Sequence, residues 1–161
     1  MLSNQCRTIM VMMFIGFVIC SCADKLSPEQ KAEQEKNEII KTAPIKTDYK
    51  INPPSNNLPE KLKAFSGKWV GKWNDVIPSQ LIVTDINENE AAFIYSWGSS
   101  PQRNIEAGSI RRNASIDSEG KIKFEREGVL YTFVVNTILN KVIGAQINSD
   151  GVSNIAMVKV K

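Results

Sequence analysis

The chain has 161 residues, of which 20 are basic and 17 acidic, and its formal net charge is +3. Such a small net charge argues against nucleic acid or another polyanion as a partner. Histidine is absent, so the commonest general base and the commonest metal-ligating side chain are not available. The length allows one folded domain of moderate size.

The first residues carry the pattern of an export signal. Arg7 supplies a positive charge, residues 9–19 form an apolar run, and the small residue Ser21 precedes Cys22. The apolar run is shorter than the roughly 20 residues that a membrane-spanning helix needs. We therefore predict a cleaved signal peptide over residues 1–21.

Residues 19–22 read Ile-Cys-Ser-Cys and resemble the lipobox of bacterial lipoproteins. The resemblance implies that cleavage leaves Cys22 as the first mature residue, with lipid on its sulfur and on its amino group. Cys6 and Cys20 lie in the signal peptide, so no second thiol remains for a disulfide. The expected location is the bacterial envelope, on the periplasmic side, with the inner and the outer membrane both open. The alternative is a plain secretory signal cleaved elsewhere, for example after Ala23.

Residues 22–57 differ in composition from the rest of the chain. Lys, Glu, Gln, Asn and Pro dominate, and Tyr49 is the only aromatic residue. The sequence Ser-Pro-Glu-Gln at residues 27–30 is a capping box with proline in the first turn, which predicts a short polar helix over residues 28–41. Because apolar side chains are few, we predict a flexible, lipid-anchored linker. A partner-binding helix is the alternative.

From Leu58 onward, apolar residues recur with a period of two, and turn residues interrupt them about every ten positions. The links have hairpin length, so each strand is expected to pair antiparallel with the next. Closure of the sheet would remove its exposed edges. We predict an all-β domain over residues 58–161, an antiparallel up-and-down barrel of about eight strands. The predicted strands are residues 68–74, 80–84, 91–97, 105–116, 121–126, 130–136, 142–147 and 153–161.

Residues 67–73 read Gly-Lys-Trp-Val-Gly-Lys-Trp, which places Trp69 and Trp73 on one face of the first strand. This G-x-W-x-G-x-W pattern resembles the first strand of lipocalin-like, or calycin-type, β-barrels. The resemblance implies that tryptophan plugs one end of the barrel, and we assign both tryptophans to that structural role. Lipocalins usually place an arginine on the last strand across from the first tryptophan, whereas this chain offers Lys159 and Lys161.

Five side chains are candidates for a ligand site. Tyr95 and Trp97 share one face of a predicted strand, and Tyr131 and Phe133 share one face of another. Arg111 is the candidate that would bind a polar group. An eight-stranded barrel holds either one small ligand or a filling of side chains, so packing of the lumen by the same aromatic residues is an equal alternative.

Arg111 and Arg112 are adjacent in a predicted strand, so one side chain is expected to point inward and the other outward. A buried guanidinium group needs a partner. Glu106, Glu125 or the carboxylate or phosphate of a ligand would serve, and an internal ion pair is the simpler interpretation.

The chain contains no nucleophile elbow, phosphate loop or serine–lysine signature, so we expect no enzymatic activity, no metal and no cofactor. The leading hypothesis is a monomeric, membrane-anchored envelope lipoprotein whose barrel binds a small apolar or amphiphilic ligand. The alternative is an interaction or accessory module with a packed barrel, which acts on an envelope enzyme, for instance as an inhibitor. A cavity of roughly 300 Å³ or more, lined by Tyr95, Trp97 and Tyr131, would favour ligand binding.

Overall fold

The computed structural model describes residues 26–160. The predicted signal peptide and Cys22 lie outside these residues. Two helices precede the strands, α1 Pro28–Thr42 and α2 Glu60–Lys63. The strands are β1 Gly67–Trp73, β2 Ile77–Ile86, β3 Glu90–Trp97, β4 Gly108–Ile116, β5 Ile122–Arg126, β6 Val129–Asn136, β7 Lys141–Asn148 and β8 Gly151–Val160.

The eight strands form a closed barrel in chain order, and all neighbouring strands are antiparallel. The predicted antiparallel up-and-down barrel is therefore confirmed. β8 closes the barrel on β1 through three register pairs. The seam between β4 and β5 is shorter, with only Ser115–Lys123 and Ile116–Ile122 paired, so the wall is least tightly joined there.

β4 begins three residues later than predicted. β4 starts at Gly108, because residues 98–107 form a loop rather than the beginning of a strand. The loop contains a 3₁₀ turn at Pro101–Arg103 and is pinned by a bridge between Ser100 and Ile105. It stands at one rim of the barrel, the rim reached by the ends of β1, β3, β5 and β7, which we call the open end.

The opposite end, called the closed end, is filled by the segment that leads into β1. α2 buries Leu62, and Phe65 just after it is fully buried. Trp69 is also fully buried, and its Nε1 donates a hydrogen bond to the Phe65 carbonyl at 2.7 Å. The Nζ atom of Lys159 lies 5.0 Å from the centroid of the Trp69 ring, within the range of a cation–π contact. Lys159 of the last strand thus contacts Trp69, the tryptophan that fills the closed end of the barrel.

Residues 28–57, called the N-terminal strap, pack against the outer wall of the barrel. The strap begins with α1, which is one residue longer than the predicted helix and has the predicted capping box. α1 buries Ile39, and Ala43 behind it is fully buried. The Ala43 carbonyl accepts hydrogen bonds from Gln80 Nε2 and, at 2.8 Å, from Ser96 Oγ. The helix is therefore attached to β2 and β3.

The extended part of the strap is also attached to the wall. The Asn52 N–H donates to the Thr84 carbonyl at 2.8 Å, and Arg111 Nη2 donates to the Asp48 carbonyl at 2.6 Å. These contacts correct the prediction of a flexible linker. The linker prediction rested on local composition, but the strap is held largely through its backbone carbonyl groups, which any composition supplies.

The outer wall of the barrel gives the physical reason for this packing. Ile82 and Ile94 pair across β2 and β3, on the face opposite the lumen-facing Tyr95, and both are almost fully buried. A sheet face of this kind needs a cover, because exposed apolar surface costs free energy. The strap supplies that cover.

Replacing Ile39 with aspartate is expected to detach α1 from the wall, because a carboxylate would be buried there without a partner. We expect cleavage of the strap by a dilute protease to become about tenfold faster, as for any segment whose local stability is lost. Lys31→Asp, on the exposed part of the same helix, is the matched control and should leave the rate unchanged. Equal cleavage rates in the two variants would contradict the docked strap.

Candidate functional site

A cavity of about 520 Å³ lies at the open end of the barrel. It is bounded by residues 104–107 of the open-end loop, by the β5–β6 turn, by the end of β1 and by the beginning of β6. A recess of about 480 Å³ toward the β7–β8 turn shares part of its lining. Of the five predicted ligand residues, Tyr95, Trp97 and Tyr131 line the cavity together.

The floor of the cavity is a buried chain of hydrogen-bonded side chains. Trp73 Nε1 donates to the Tyr95 hydroxyl at 2.6 Å, and that hydroxyl lies 3.3 Å from Ser79 Oγ. Because the Tyr95 oxygen already accepts from Trp73, its own proton is available for Ser79. Burial raises the pKa of Tyr95 well above its ordinary value, against the effect of these two hydrogen bonds. The floor is therefore uncharged at neutral pH.

Trp73 and Trp69 serve opposite ends of the barrel, although both were assigned to a plug. Trp69 fills the closed end, whereas Trp73 is 2% exposed and forms part of the cavity lining at the open end. The reason is distance along the strand. Four residues of a strand span about 13 Å, so two tryptophans on one face of β1 reach different levels of the lumen.

The side wall of the cavity is formed by Trp97 and Arg126. The guanidinium carbon of Arg126 lies 3.8 Å from the centroid of the Trp97 ring, a close cation–π contact. Trp97 Nε1 donates to the Glu106 carbonyl at 2.8 Å. Its ring lies against Gly108, where a Cβ atom would stand only 2.5 Å from the ring. Glycine at this position thus admits the indole, which remains partly exposed to the cavity.

Arg126 brings a partly buried positive charge into the cavity. The Arg126 side chain is 20% exposed and lies 3.1 Å from the carboxylate of Glu127, whose side chain is 75% exposed. Glu127 and Gly128 have φ angles of +52° and +74°, typical of a type I′ hairpin turn. Because the Glu127 carboxylate is mostly exposed to solvent, its ion pair with Arg126 contributes little to stability. An anionic group entering the cavity can therefore compete with Glu127 for Arg126.

Tyr131 adds a second neutral hydroxyl, whereas Phe133 lies deeper. The Tyr131 ring stacks on Phe124, with the ring centroids 4.8 Å apart and the planes within 2°. Burial raises the pKa of Tyr131; Arg126 lowers it and Glu127 raises it to smaller extents. Phe133 is 1% exposed, and its ring centroid lies 6.1 Å from that of Phe124. Phe133 therefore fills the core beneath the cavity.

The structure separates Arg111 from the other candidates. Arg111 pairs with Ile94 on the outer face of the wall and binds the strap through the Asp48 carbonyl. Arg112 lies at the β4–β5 seam, where its Nη1 donates to the Glu125 carbonyl at 2.9 Å. Both arginines are exposed. The predicted internal ion pair is therefore not formed within the described part of the chain, and each arginine instead donates a hydrogen bond to a backbone carbonyl oxygen.

Arg126, the cation of the cavity, was not among the predicted site residues. The signal was present, because Ile122, Phe124 and Arg126 alternate along β5 and therefore share the lumen face. Gln146, which also lines the cavity, was missed as well, since a single amide in an alternating strand has no distinctive pattern.

The arrangement combines aromatic surface, a cation and neutral hydroxyl and amide groups, which suits a ligand with an apolar body and a polar end. Within residues 26–160, no group of three or more Asp, Glu, Cys or His side chains is placed to hold a metal ion. The helices in that part of the chain are too short or too polar to cross a membrane. Comparison of the chain with protein-family models, with curated proteins and with solved structures gave no match.

Proposed function

We propose that this protein is a lipid-anchored lipoprotein of the bacterial envelope whose barrel binds a small amphiphilic ligand at the open end. The observation that carries the ligand-binding part is the cavity of about 520 Å³ lined by Tyr95, Trp97 and Tyr131. Its volume lies in the range of roughly 300–1,000 Å³ that small-molecule sites occupy. The anchor follows from the lipobox-like residues 19–22, and the periplasmic side from the export signal.

The polar groups of the cavity indicate how such a ligand would be oriented. Its polar end would lie near Arg126 and the Tyr131 hydroxyl, and its apolar part would contact the indole of Trp97. An anionic end is favoured, because the guanidinium group binds carboxylates and phosphates with a planar fork of donors.

Packing of the inner half of the barrel limits the ligand to the open half. Phe93, Phe124 and Phe133 are buried below the cavity, with Phe93 and Phe124 centroids 4.8 Å apart. A ligand of modest length therefore fits better than a long acyl chain. A barrel packed in this way is also expected for the alternative, a protein-interaction module. A barrel that binds no ligand is therefore the competing outcome of the test.

Binding can be measured with residues 23–161 by native mass spectrometry and by fluorescence titration with a small anionic naphthalene-sulfonate dye. We expect Trp97→Ala and Arg126→Gln each to weaken binding about tenfold, which corresponds to about 1.4 kcal/mol. Arg111→Gln is the matched control, because it removes the same charge from the outer wall. No saturable binding, or equal losses in Arg126→Gln and Arg111→Gln, would contradict the proposed site.

A further inference from the structure

α1 lies along one row of the barrel wall. Lys141 of β7 pairs with Val158 of β8, which in turn pairs with Val70 of β1. The row continues from Val70 to Gln80 of β2 and to Ser96 of β3. A helix placed on this row therefore crosses five neighbouring strands.

The contacts of α1 show its direction along the row. Near its start, Ala32 lines a groove of about 310 Å³ together with Lys141 and Val158. At its end, the Ile40 carbonyl accepts from Gln80 Nε2 at 3.2 Å. The helix thus begins beside β7 and β8 and ends beside β2 and β3.

This row climbs from the closed end to the open end, because strands in such barrels tilt about 35–45° from the axis. Lys141 is the first residue of β7 and follows a closed-end turn, whereas Ser96 is next to the last residue of β3 and precedes the open-end loop. α1 therefore begins at the closed rim, and the chain before it leaves the barrel there.

The β6–β7 turn, residues 137–140, stands on the same rim and carries two exposed apolar side chains. Ile138 is 93% exposed and Leu139 is 58% exposed, and Lys141 lies two residues after Leu139. The other two closed-end turns, after β2 and after β4, contain only polar residues and glycine, namely Asn, Asp, Glu, Ser, Gly and Lys. Large apolar side chains with a lysine nearby suit the boundary between lipid headgroups and acyl chains.

The length of chain before α1 ties the closed rim to the position of Cys22. Six Cα–Cα steps separate Cys22 from Pro28, so the two residues lie at most about 22 Å apart. Lipid on Cys22 would thus hold the rim that carries the β6–β7 turn close to the bilayer surface.

We propose that the β6–β7 turn is a membrane-contact site, in which Ile138 and Leu139 enter the interface of the bilayer that holds the acyl chains of Cys22. This inference rests on the proposed lipid anchor. Contact at this turn would orient the molecule on the membrane. The cavity lies at the opposite end of the barrel and would therefore open away from that bilayer. The ligand would then enter from the aqueous side rather than directly from the anchoring membrane.

The test uses the full-length lipidated protein with one added thiol, reconstituted in vesicles of phosphatidylethanolamine and phosphatidylglycerol. An environment-sensitive fluorophore is attached in Ile138→Cys and, as the matched control, in Asp150→Cys, which lies in the exposed open-end turn between β7 and β8. A nitroxide-bearing lipid serves as quencher. We expect quenching at position 138 to be at least about threefold stronger than at position 150, with blue-shifted emission at position 138 only.

Two further proteins distinguish a failure of the lipid anchor from a failure of the membrane-contact site. The parent protein without an added thiol should take up no fluorophore, because lipid occupies the sulfur of Cys22; labelling there would show that the anchor itself is absent. Adding Leu139→Ser to the Ile138→Cys protein should reduce the quenching. Equal quenching at positions 138 and 150 in a protein that remains lipidated would overturn the membrane-contact site. An equal blue shift at position 138 without lipid would also overturn it, because the fluorophore would then be in contact with protein.

Discussion

Replacing Trp69 with alanine is expected to lower the free energy of unfolding by about 3–5 kcal/mol, the usual cost of emptying a large buried aromatic site. Trp69 is fully buried and fills the closed end of a barrel whose hydrogen-bonded wall cannot collapse into the space. The substitution also removes the donor to the Phe65 carbonyl and the ring across which Lys159 lies.

Urea unfolding of residues 23–161, followed by circular dichroism, measures this loss. The chain is kept from residue 23, because the N-terminal strap packs on the barrel and its removal would alter stability by itself. Trp97→Ala deletes the same side chain at a partly exposed position and should cost less than about 2 kcal/mol. A loss below about 1 kcal/mol in Trp69→Ala would contradict its role as the plug.

Replacing Cys22 with serine is expected to release the protein from membranes or to leave an uncleaved precursor. Serine has no thiol to acylate, and Cys22 is the only cysteine that would survive removal of residues 1–21. Membrane fractionation and the intact mass of the protein measure both results.

Cys20→Ser is the matched control for the anchor, because Cys20 would be discarded with the signal peptide and its loss should change neither location nor mature mass. A Cys22→Ser protein of normal mature size that stays in the membrane fraction would argue against lipid attachment at Cys22. The plain secretory signal, with cleavage after Ala23, would then become the better interpretation.

The barrel was predictable from sequence because each strand carries its own evidence. Alternation such as that of residues 121–126 marks a wall with one wet face, and short turns such as Glu127–Gly128 leave no room for anything but antiparallel pairing. The start of β4 was harder to place. Residues 105–107 continue an acceptable strand pattern, and only the bridge between Ser100 and Ile105 shows that they belong to a loop.

The candidate site was predictable only in part. Tyr95 and Trp97 were identified because residues two apart in a strand share a face, and the same rule placed Tyr131 with Phe133. The rule gives the face of a residue but not its height in the barrel. Depth separates Tyr131, which lines the cavity, from Phe133, which fills the core beneath it.

By itself, the sequence determined the eight-stranded architecture and the inward faces of the strands, because these depend on local composition and on a period of two. The export signal with its candidate lipid-bearing Cys22 is likewise predicted from local composition alone. Only the tertiary structure decided that Arg126 rather than Arg111 supplies the cation of the cavity, and that residues 28–57 cover the outer wall. These outcomes depend on contacts between segments far apart in the chain, such as Ala43 with Gln80 and Ser96. Such contacts are set by the register and tilt of a closed barrel, which no local pattern records.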